Sequence, residues 1–313
     1  MKIVPKIVNG VAVQHLAFRF FVTVYVSFPG SDNTANLCGG VIYDARHVVT
    51  AAHCLSQEVS PSRIIVRGMD NGNIFDKFTS RDYAAVSHII HPMYDDITLH
   101  NDFALLRMEK AFDVGYEQVL YSTTLTQWRE NSATDALYTV GHGVTETGKT
   151  SKELMIAKLA RVPAEACAWN PLDLGQDFCA GSFSSCSDGF CQDSCQGDSG
   201  GPLFQLKEDT VGKSYHEQIP DGGVIVFGLT SRGAACGTNQ TPGIYASLHI
   251  ANEWLRALVV ADDTKPSQNT EPSQSTEHSQ STKPSQSTKP SQTTMLMYGI
   301  MIVSIVYFMA ICI

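Results

Sequence analysis

No run of basic residues occurs anywhere in this 313-residue chain, whose formal net charge is −9 at pH 7. Without a basic stripe nothing neutralises a row of phosphates, so nucleic-acid binding is not expected and the acidic balance is read as a solubility feature. Paired CxxC motifs with histidines at ligand spacing are also missing: Cys186, Cys191 and Cys195 have no such rhythm around them. A zinc centre is therefore not expected, and no metal or cofactor is anticipated. The opening Met1–Lys6 is too short to hold the basic stretch, apolar core and cleavage site of a secretory leader, so a leader is expected upstream of Met1, the alternative being a cytosolic chain. Two stretches lack something more. Residues 265–294 contain no large apolar side chain, and residues 295–313 contain no charge.

What is present divides the chain into regions. From Ile7 to Ala261 the sequence is dense in Val, Ile, Leu, Phe and Tyr. Short apolar runs such as Phe20–Phe28, Val41–Ala51 and Val224–Thr230 are broken repeatedly by Gly, Pro, Asn and Asp. That pattern predicts many short strands joined by turns. One helix is expected, over Leu248–Val260, where Ile250, Trp254, Leu255 and Leu258 recur at three- and four-residue steps opposite Glu253 and Arg256. The fold class read from these patterns is all-β with a closing helix. Eight of the nine cysteines fall between Cys38 and Cys236, which points to a disulfide framework and an oxidising, extracellular compartment.

Residues 262–294 carry five six-residue repeats, KPSQNT, EPSQST, EHSQST, KPSQST and KPSQTT. Such a segment cannot offset its ordering entropy by burial. Its Ser/Thr/Pro content is that of an O-glycosylated stalk, with a plain flexible linker as the alternative. The uncharged stretch 295–313, which includes Cys312, is long enough to cross a hydrocarbon core of about 30 Å. Small residues such as Ser285 and Ser287, a polar spacer and an apolar tail fit a signal exchanged for a glycosylphosphatidylinositol anchor. A retained membrane helix is the alternative. Residues 1–6 are read as the remnant of an activation peptide and 7–261 as the globular domain.

Three local sequences carry the parts of a nucleophilic site. A serine hydroxyl attacks only when a base takes its proton, and that base needs a carboxylate to fix its tautomer. The first is Asp193-Ser194-Cys195-Gln196-Gly197-Asp198-Ser199-Gly200-Gly201-Pro202, whose glycines permit a turn that aims successive N–H groups at one point. The second is Thr50-Ala51-Ala52-His53-Cys54, a histidine following a strand-like run. The third is Asn101-Asp102-Phe103-Ala104-Leu105-Leu106, where an aspartate leads into an apolar run and must be paired or exposed. Asp95 and Asp96 are its rivals, in a more polar context.

These motifs, in the order His, Asp, Ser and at these separations, resemble the chymotrypsin/trypsin family of serine proteases over Ile7 to Ala261. The resemblance implies two six-stranded antiparallel β-barrels of chymotrypsin type with a C-terminal helix and the site between the barrels. It implies that His53 is the general base, that Asp102 orients it, and that Ser199 attacks. The N–H groups of Gly197 and Ser199 would form the oxyanion hole, and Ser231 would support Asp102. Asp193, with Ser194 beside it, matches the floor of a pocket for lysine or arginine, and Gly233 and Gly243 match its open walls. Lys6-Ile7-Val8-Asn9-Gly10 resembles an activation site, with the new Ile7 ammonium pairing with Asp198. Protein or peptide substrates and protein inhibitors are the implied partners, with the membrane reached through the C-terminal anchor. The implied disulfides are Cys38–Cys54, Cys167–Cys179 and Cys195–Cys236, leaving Cys186 and Cys191 to pair within the loop beside the pocket.

The chain departs from the family pattern in several places. Leu137 and Gln205 stand where the family has another bridge, and no calcium loop is recognisable around Gly68–Asp82. Arg232 replaces the tryptophan that floors the subsites beyond the primary pocket, which predicts weaker preference for apolar residues there and tolerance of acidic ones; the alternative is that it turns outward. Asn239-Gln240-Thr241 is a glycosylation acceptor. The competing function is a protease homologue that has lost catalysis and binds a partner, disfavoured because all three reactive residues are present.

Overall fold

The structure is a computed structural model that describes residues 7–263 apart from 9, 29, 31–34, 56–57, 70–79, 114–118, 122–135, 146–147, 164–166, 168–176, 183–185, 188–189, 208–218, 234 and 238–240. Lys6 and Asn239 fall outside these residues. The chain's contacts separate into two units, Met1–Lys265 and Pro266–Ile313. The second, which contains most of the repeats and the uncharged stretch, lies wholly outside the described residues.

Strand β1 (Val11–Ala12) precedes the first barrel. That barrel is built from β2 (Phe21–Val26), β3 (Asn36–Ile42), β4 (His47–Thr50), β5 (Ile64–Met69), β6 (Ser80–Ile90) and β7 (Ala104–Met108), closed in the order β2-β3-β4-β7-β6-β5. After β8 (Val119–Tyr121), the second barrel uses β9 (Leu137–Gly141), β10 (Met155–Val162), β11 (Asp177–Gly181), β14 (Pro202–Leu206), β15 (Val224–Arg232) and β16 (Gly243–Ser247). Its strands run β10-β11-β16-β15-β14-β9, and β10 pairs back on β9 to close it. Strands β12 (Cys186–Ser187) and β13 (Phe190–Cys191) form a separate small hairpin. This is the chymotrypsin-type fold of two six-stranded antiparallel barrels. Closure removes the free edges that open sheets must otherwise protect.

Local chemistry explains the breaks. The run Val41–Ala51 is two strands, because Asp44 Oδ1 accepts the N–H groups of Arg46 (2.7 Å) and His47 (2.9 Å) and turns the chain between β3 and β4. Alternate residues of β2, including Val22, Val24 and Val26, point into the first barrel with Ile42, Val48, Ile64 and Leu106. Burying each such aliphatic side chain contributes about 1.5–3 kcal/mol. The opposite face of β2 sends Phe21 to a second cluster with Phe20, Phe204 and Leu229, which joins the first barrel to the second.

Helix α1 spans Leu248–Asp263, starting where the periodicity places it and running three residues past Val260. The extension has a cause: Asp262 receives Arg107 Nε of β7 and lies 3.5 Å from His47 Nε2 of β4. His47 Nδ1 in turn lies 2.9 Å from Asp44. The end of the helix is thus fastened to the first barrel by charge, after its apolar stripe of Leu248, Ala251 and Leu255 has been buried.

Four disulfides form among the described residues: Cys38–Cys54, Cys167–Cys179, Cys186–Cys191 and Cys195–Cys236. The first joins the first half of β3 to the turn carrying His53 across a sequence separation of 16. A loop of that length corresponds to about 3 kcal/mol in the chain-entropy account.

Candidate active site

Strands β4 and β7 are hydrogen-bonded neighbours, with Thr50 opposite Ala104. His53, in the 3₁₀ turn Ala52–Cys54 just beyond β4, and Asp102, just before β7, therefore come off adjacent strand ends. His53 Nδ1 lies 2.7 Å from Asp102 Oδ2, and the His53 N–H donates to Asp102 Oδ1 at 2.9 Å. Ser231 Oγ donates to Asp102 Oδ2 at 2.6 Å. Asp102 is fully buried, so its charge is held by these hydrogen bonds rather than by water. His53 is held above its ordinary pKa: burial opposes the imidazolium, but the hydrogen bond and charge of Asp102 outweigh it.

Ser199 stands at the seam of the two barrels. Its carbonyl accepts the N–H of Gly39 in β3 (2.7 Å). Immediately after it, the Gly200 N–H donates to Thr230 O (2.8 Å) and the Thr230 N–H donates to Gly201 O (2.9 Å). Gly200 is required there: its φ is +77°, and a Cβ would lie 2.3 Å from Thr50 Oγ1. Cys54 Sγ lies 3.7 Å from Ser199 O and 4.0 Å from His53 Nε2, which measures how closely the serine segment approaches the histidine. Gly197, two residues before Ser199, has φ +96° and reverses the chain between Cys195 and Asp198, where the Asp198 N–H donates to Cys195 O at 2.9 Å.

Residues 7–255 match the family described as Trypsin. The chain belongs to the trypsin family. This trypsin-family chain is 30% identical over 253 residues to trypsin beta of Drosophila erecta, covering 80% of the chain and 87% of that relative. It is 28% identical over 257 residues to trypsin eta of Drosophila melanogaster, with 80% and 87% covered. A CLIP domain-containing serine protease B15 of Anopheles gambiae is 28% identical over 254 residues, covering 74% of the chain and 64% of the relative.

Beside the serine, this family member buries two further carboxyl groups. Asp193 accepts the N–H groups of Ser194 (2.9 Å) and Gly237 (3.0 Å). Burial pushes it up to about 7, against the lowering effect of those two donors, and Asp198 adds to the rise. Ser194 Oγ is 2.9 Å from Tyr245 Oη. A Cβ on Gly243 would lie 3.3 Å from both Asp193 Oδ1 and Ser194 Oγ, so a side chain there would cover the carboxylate. A Cβ on Gly233 would lie 3.9 Å from Gly243 Cα, so these two glycines face each other.

Asp198 accepts Gly143 N–H (2.7 Å) and Cys195 N–H (2.9 Å), and complete burial pushes it up to about 7. Ile7 is fully buried among Leu137, Leu159, Phe178 and Tyr245. Val8 bridges to Asp193, whose N–H donates to Val8 O at 3.3 Å. The segment beginning at Ile7 is therefore seated against the segment that carries Asp193.

Arg232 does not turn outward. Its side chain is 5% exposed and its Nη2 lies 2.6 Å from Oδ2 of Asp177, which is 0% exposed. Asp177 went unnoticed in the sequence, although a signal exists: an aspartate heading the apolar strand Asp177–Gly181 demands a buried partner.

His142 was also not singled out. It is buried beside Phe21, and its Nδ1 lies 3.3 Å from Ser151 O. Burial pushes it down to about 4. Because the folded value lies below the ordinary 6.5, the unfolded chain takes up the proton first. The stability His142 brings is full above pH 6.5 and is lost as pH falls toward 4, amounting to about 3 kcal/mol. Denaturant titrations at pH 7 and pH 4.5 are expected to show a smaller acid loss in His142→Gln than in the parent.

Proposed function

We propose that the chain is an active serine endopeptidase that cleaves after lysine or arginine and is switched on by cleavage after Lys6. The observation that carries this reading is the hydrogen-bonded line Ser231–Asp102–His53, which ends at the seam where Ser199 stands. His53 Nε2 takes the proton of Ser199 as its oxygen bonds to the substrate carbonyl carbon. The carbonyl π electrons move onto oxygen, which receives the N–H groups of Gly197 and Ser199. Collapse breaks the C–N bond, with the His53 proton passing to the leaving amine. Water then repeats the cycle on the acyl-enzyme with the same base.

Asp193 supports the choice of lysine or arginine. A buried carboxyl at about 7 ionises readily when a cation arrives, whereas an apolar side chain leaves it unpaired. Asp198 supports activation. Its two hydrogen bonds come from the backbone groups of Gly143 and Cys195, and no ion pair to it occurs among the described residues. An ammonium freed at Ile7 would supply that cation and fix the serine loop, a disorder-to-order switch.

Around this domain, four disulfides suit an extracellular compartment. Residues 262–294 serve as a stalk and 295–313 as an anchor signal, with Asn239 as a glycan acceptor. No helix among the described residues is long and apolar enough to cross a membrane, so tethering rests on the sequence of the last residues.

The test is a peptide library presented to the chain processed after Lys6 and to a Lys6→Gln variant exposed to the same activating protease. Cuts after lysine and arginine by the first, with activity at least about a hundredfold lower in the second, are expected, in keeping with the cost of misplacing an oxyanion donor. Absence of cleavage by folded, processed chain would shift the reading to a binding homologue.

A further inference from the structure

Arg232 lies at the junction of three elements that the catalytic line depends on. Nη2 pairs with Asp177 Oδ2 at 2.6 Å, which ties the end of β15 to β11. Nη1 reaches Leu99 O at 3.3 Å and Ser231 Oγ at 3.4 Å. Leu99 belongs to the short segment leading into Asp102, and Leu99 and Asn101 have φ of +57° and +53°, a region that costs non-glycine residues energy and persists only when neighbours enforce it. The restraints on that segment include Arg232 at Leu99 O, Asp95 O accepting the Leu99 N–H (2.8 Å), His100 O accepting the Asp95 N–H (3.1 Å), Asn101 O accepting the Phe103 N–H (2.7 Å), and Asn101 Nδ2 donating to Met93 O (3.0 Å).

The contact with Ser231 has a definite chemical sense. A guanidinium only donates, so Ser231 Oγ is the acceptor of Arg232. The single hydroxyl hydrogen of Ser231 is then committed to Asp102 Oδ2, and the two bonds strengthen each other. The guanidinium is buried and neutralised by Asp177, so it is not a free cation offered to substrate.

Taking the peptidase reading as its basis, we propose that Arg232 and Asp177 form a neutral buried pair whose function is to position Ser231 and the Leu99–Asn101 segment, and through them Asp102 and His53. Arg232 is thus a positioning residue rather than a subsite surface. Acidic residues in the substrate gain nothing from it, contrary to what the bare replacement of tryptophan by arginine suggests.

The charge of the pair gives a signature that a purely structural role lacks. Arg232→Gln leaves an uncompensated anion near the Asp102–His53 line, which favours the imidazolium. Asp177→Asn leaves an uncompensated cation, which disfavours it. The three linked hydrogen bonds put the guanidinium within about 10 Å of His53, with Asp177 one link beyond it, so shifts of up to about one pH unit in opposite directions are expected, the smaller with Arg232→Gln. The other titratable groups near the line are Tyr94, which feels Asp102, Asp96 and Asp95, and His100 beside Asp95. Neither substitution replaces any of these groups.

The experiment is an NMR titration of the His53 ring in full-length chain carrying Ser199→Ala, processed after Lys6, with each substitution added in turn. It needs no turnover, so its failure is distinct from failure of the peptidase reading. Expected are a rise in the His53 midpoint with Arg232→Gln, a fall with Asp177→Asn, and a return to within a few tenths of a unit in the double variant. If Arg232→Gln does not fold, the fall with Asp177→Asn and the return in the double variant remain the criteria. Unchanged midpoints, or shifts of the same sign in both single variants, would overturn the proposal.

Discussion

Ser199→Ala is expected to lower kcat by about six orders of magnitude on any peptide substrate while leaving the fold intact. In the proposed mechanism the hydroxyl oxygen is the atom that bonds to the acyl carbon, and alanine has none. Backbone bonds hold the segment: Ser199 O to Gly39, Gly200 N–H to Thr230 O, and Thr230 N–H to Gly201 O. Alanine retains all of them. His53→Ala is expected to cost about as much, and the double variant no more than either, because base and nucleophile act as a unit. Progress curves at high enzyme concentration, with far-ultraviolet circular dichroism as the folding control, measure both statements. Losses of only tenfold would mean that Ser199 does not carry the reaction.

Asp193→Ser is expected to reduce kcat/KM for lysine and arginine substrates by about four orders of magnitude, with much smaller change for apolar ones. The carboxylate is 4% exposed and is fixed by Ser194 and Gly237, with no side chain at Gly243 or Gly233 to cover it. A pH signature accompanies the change. The folded value of about 7 lies above the ordinary 3.8, so the contribution of Asp193 to stability is full below 3.8 and is lost as pH rises through 7. Asp193→Ser should remove that part of the alkaline loss, read by denaturant midpoints at pH 5 and pH 8. Equal kcat/KM losses for cationic and apolar substrates would show that Asp193 supports the loop without selecting the side chain.

Much of the fold was legible because its causes are local. The apolar run around Phe21–Val26 gives a strand, and the three- and four-residue steps of Ile250, Trp254, Leu255 and Leu258 give the closing helix. The turn that splits Val41–Ala51 was less visible: Asp44 turns the chain through its own side chain, amid residues that read as strand formers. The helix extension to Asp263 depends on Arg107 and His47, more than 150 residues away, and no periodicity reports that.

The candidate site shows the same division. The sequences around His53, Asp102 and Ser199 identify themselves, and the structure adds why the first two meet, since β4 and β7 are neighbours. Arg232 was visible as a departure, but its meaning was not. Its partner Asp177 lies 55 residues earlier, on a strand that approaches only through β16, which pairs with both β11 and β15. His142 escaped notice because a lone histidine between glycines carries no sign of burial until the barrel is assembled.

The central claim is that Ser199 is a nucleophile activated by His53 and Asp102. The most direct measurement is intact-protein mass spectrometry, with peptide mapping, of the processed chain treated with a fluorophosphonate. One adduct per chain, on Ser199, absent in Ser199→Ala and strongly slowed in His53→Ala, is the predicted result. Folded, processed chain that takes up no label at Ser199, or takes it up equally fast without His53, would contradict the account.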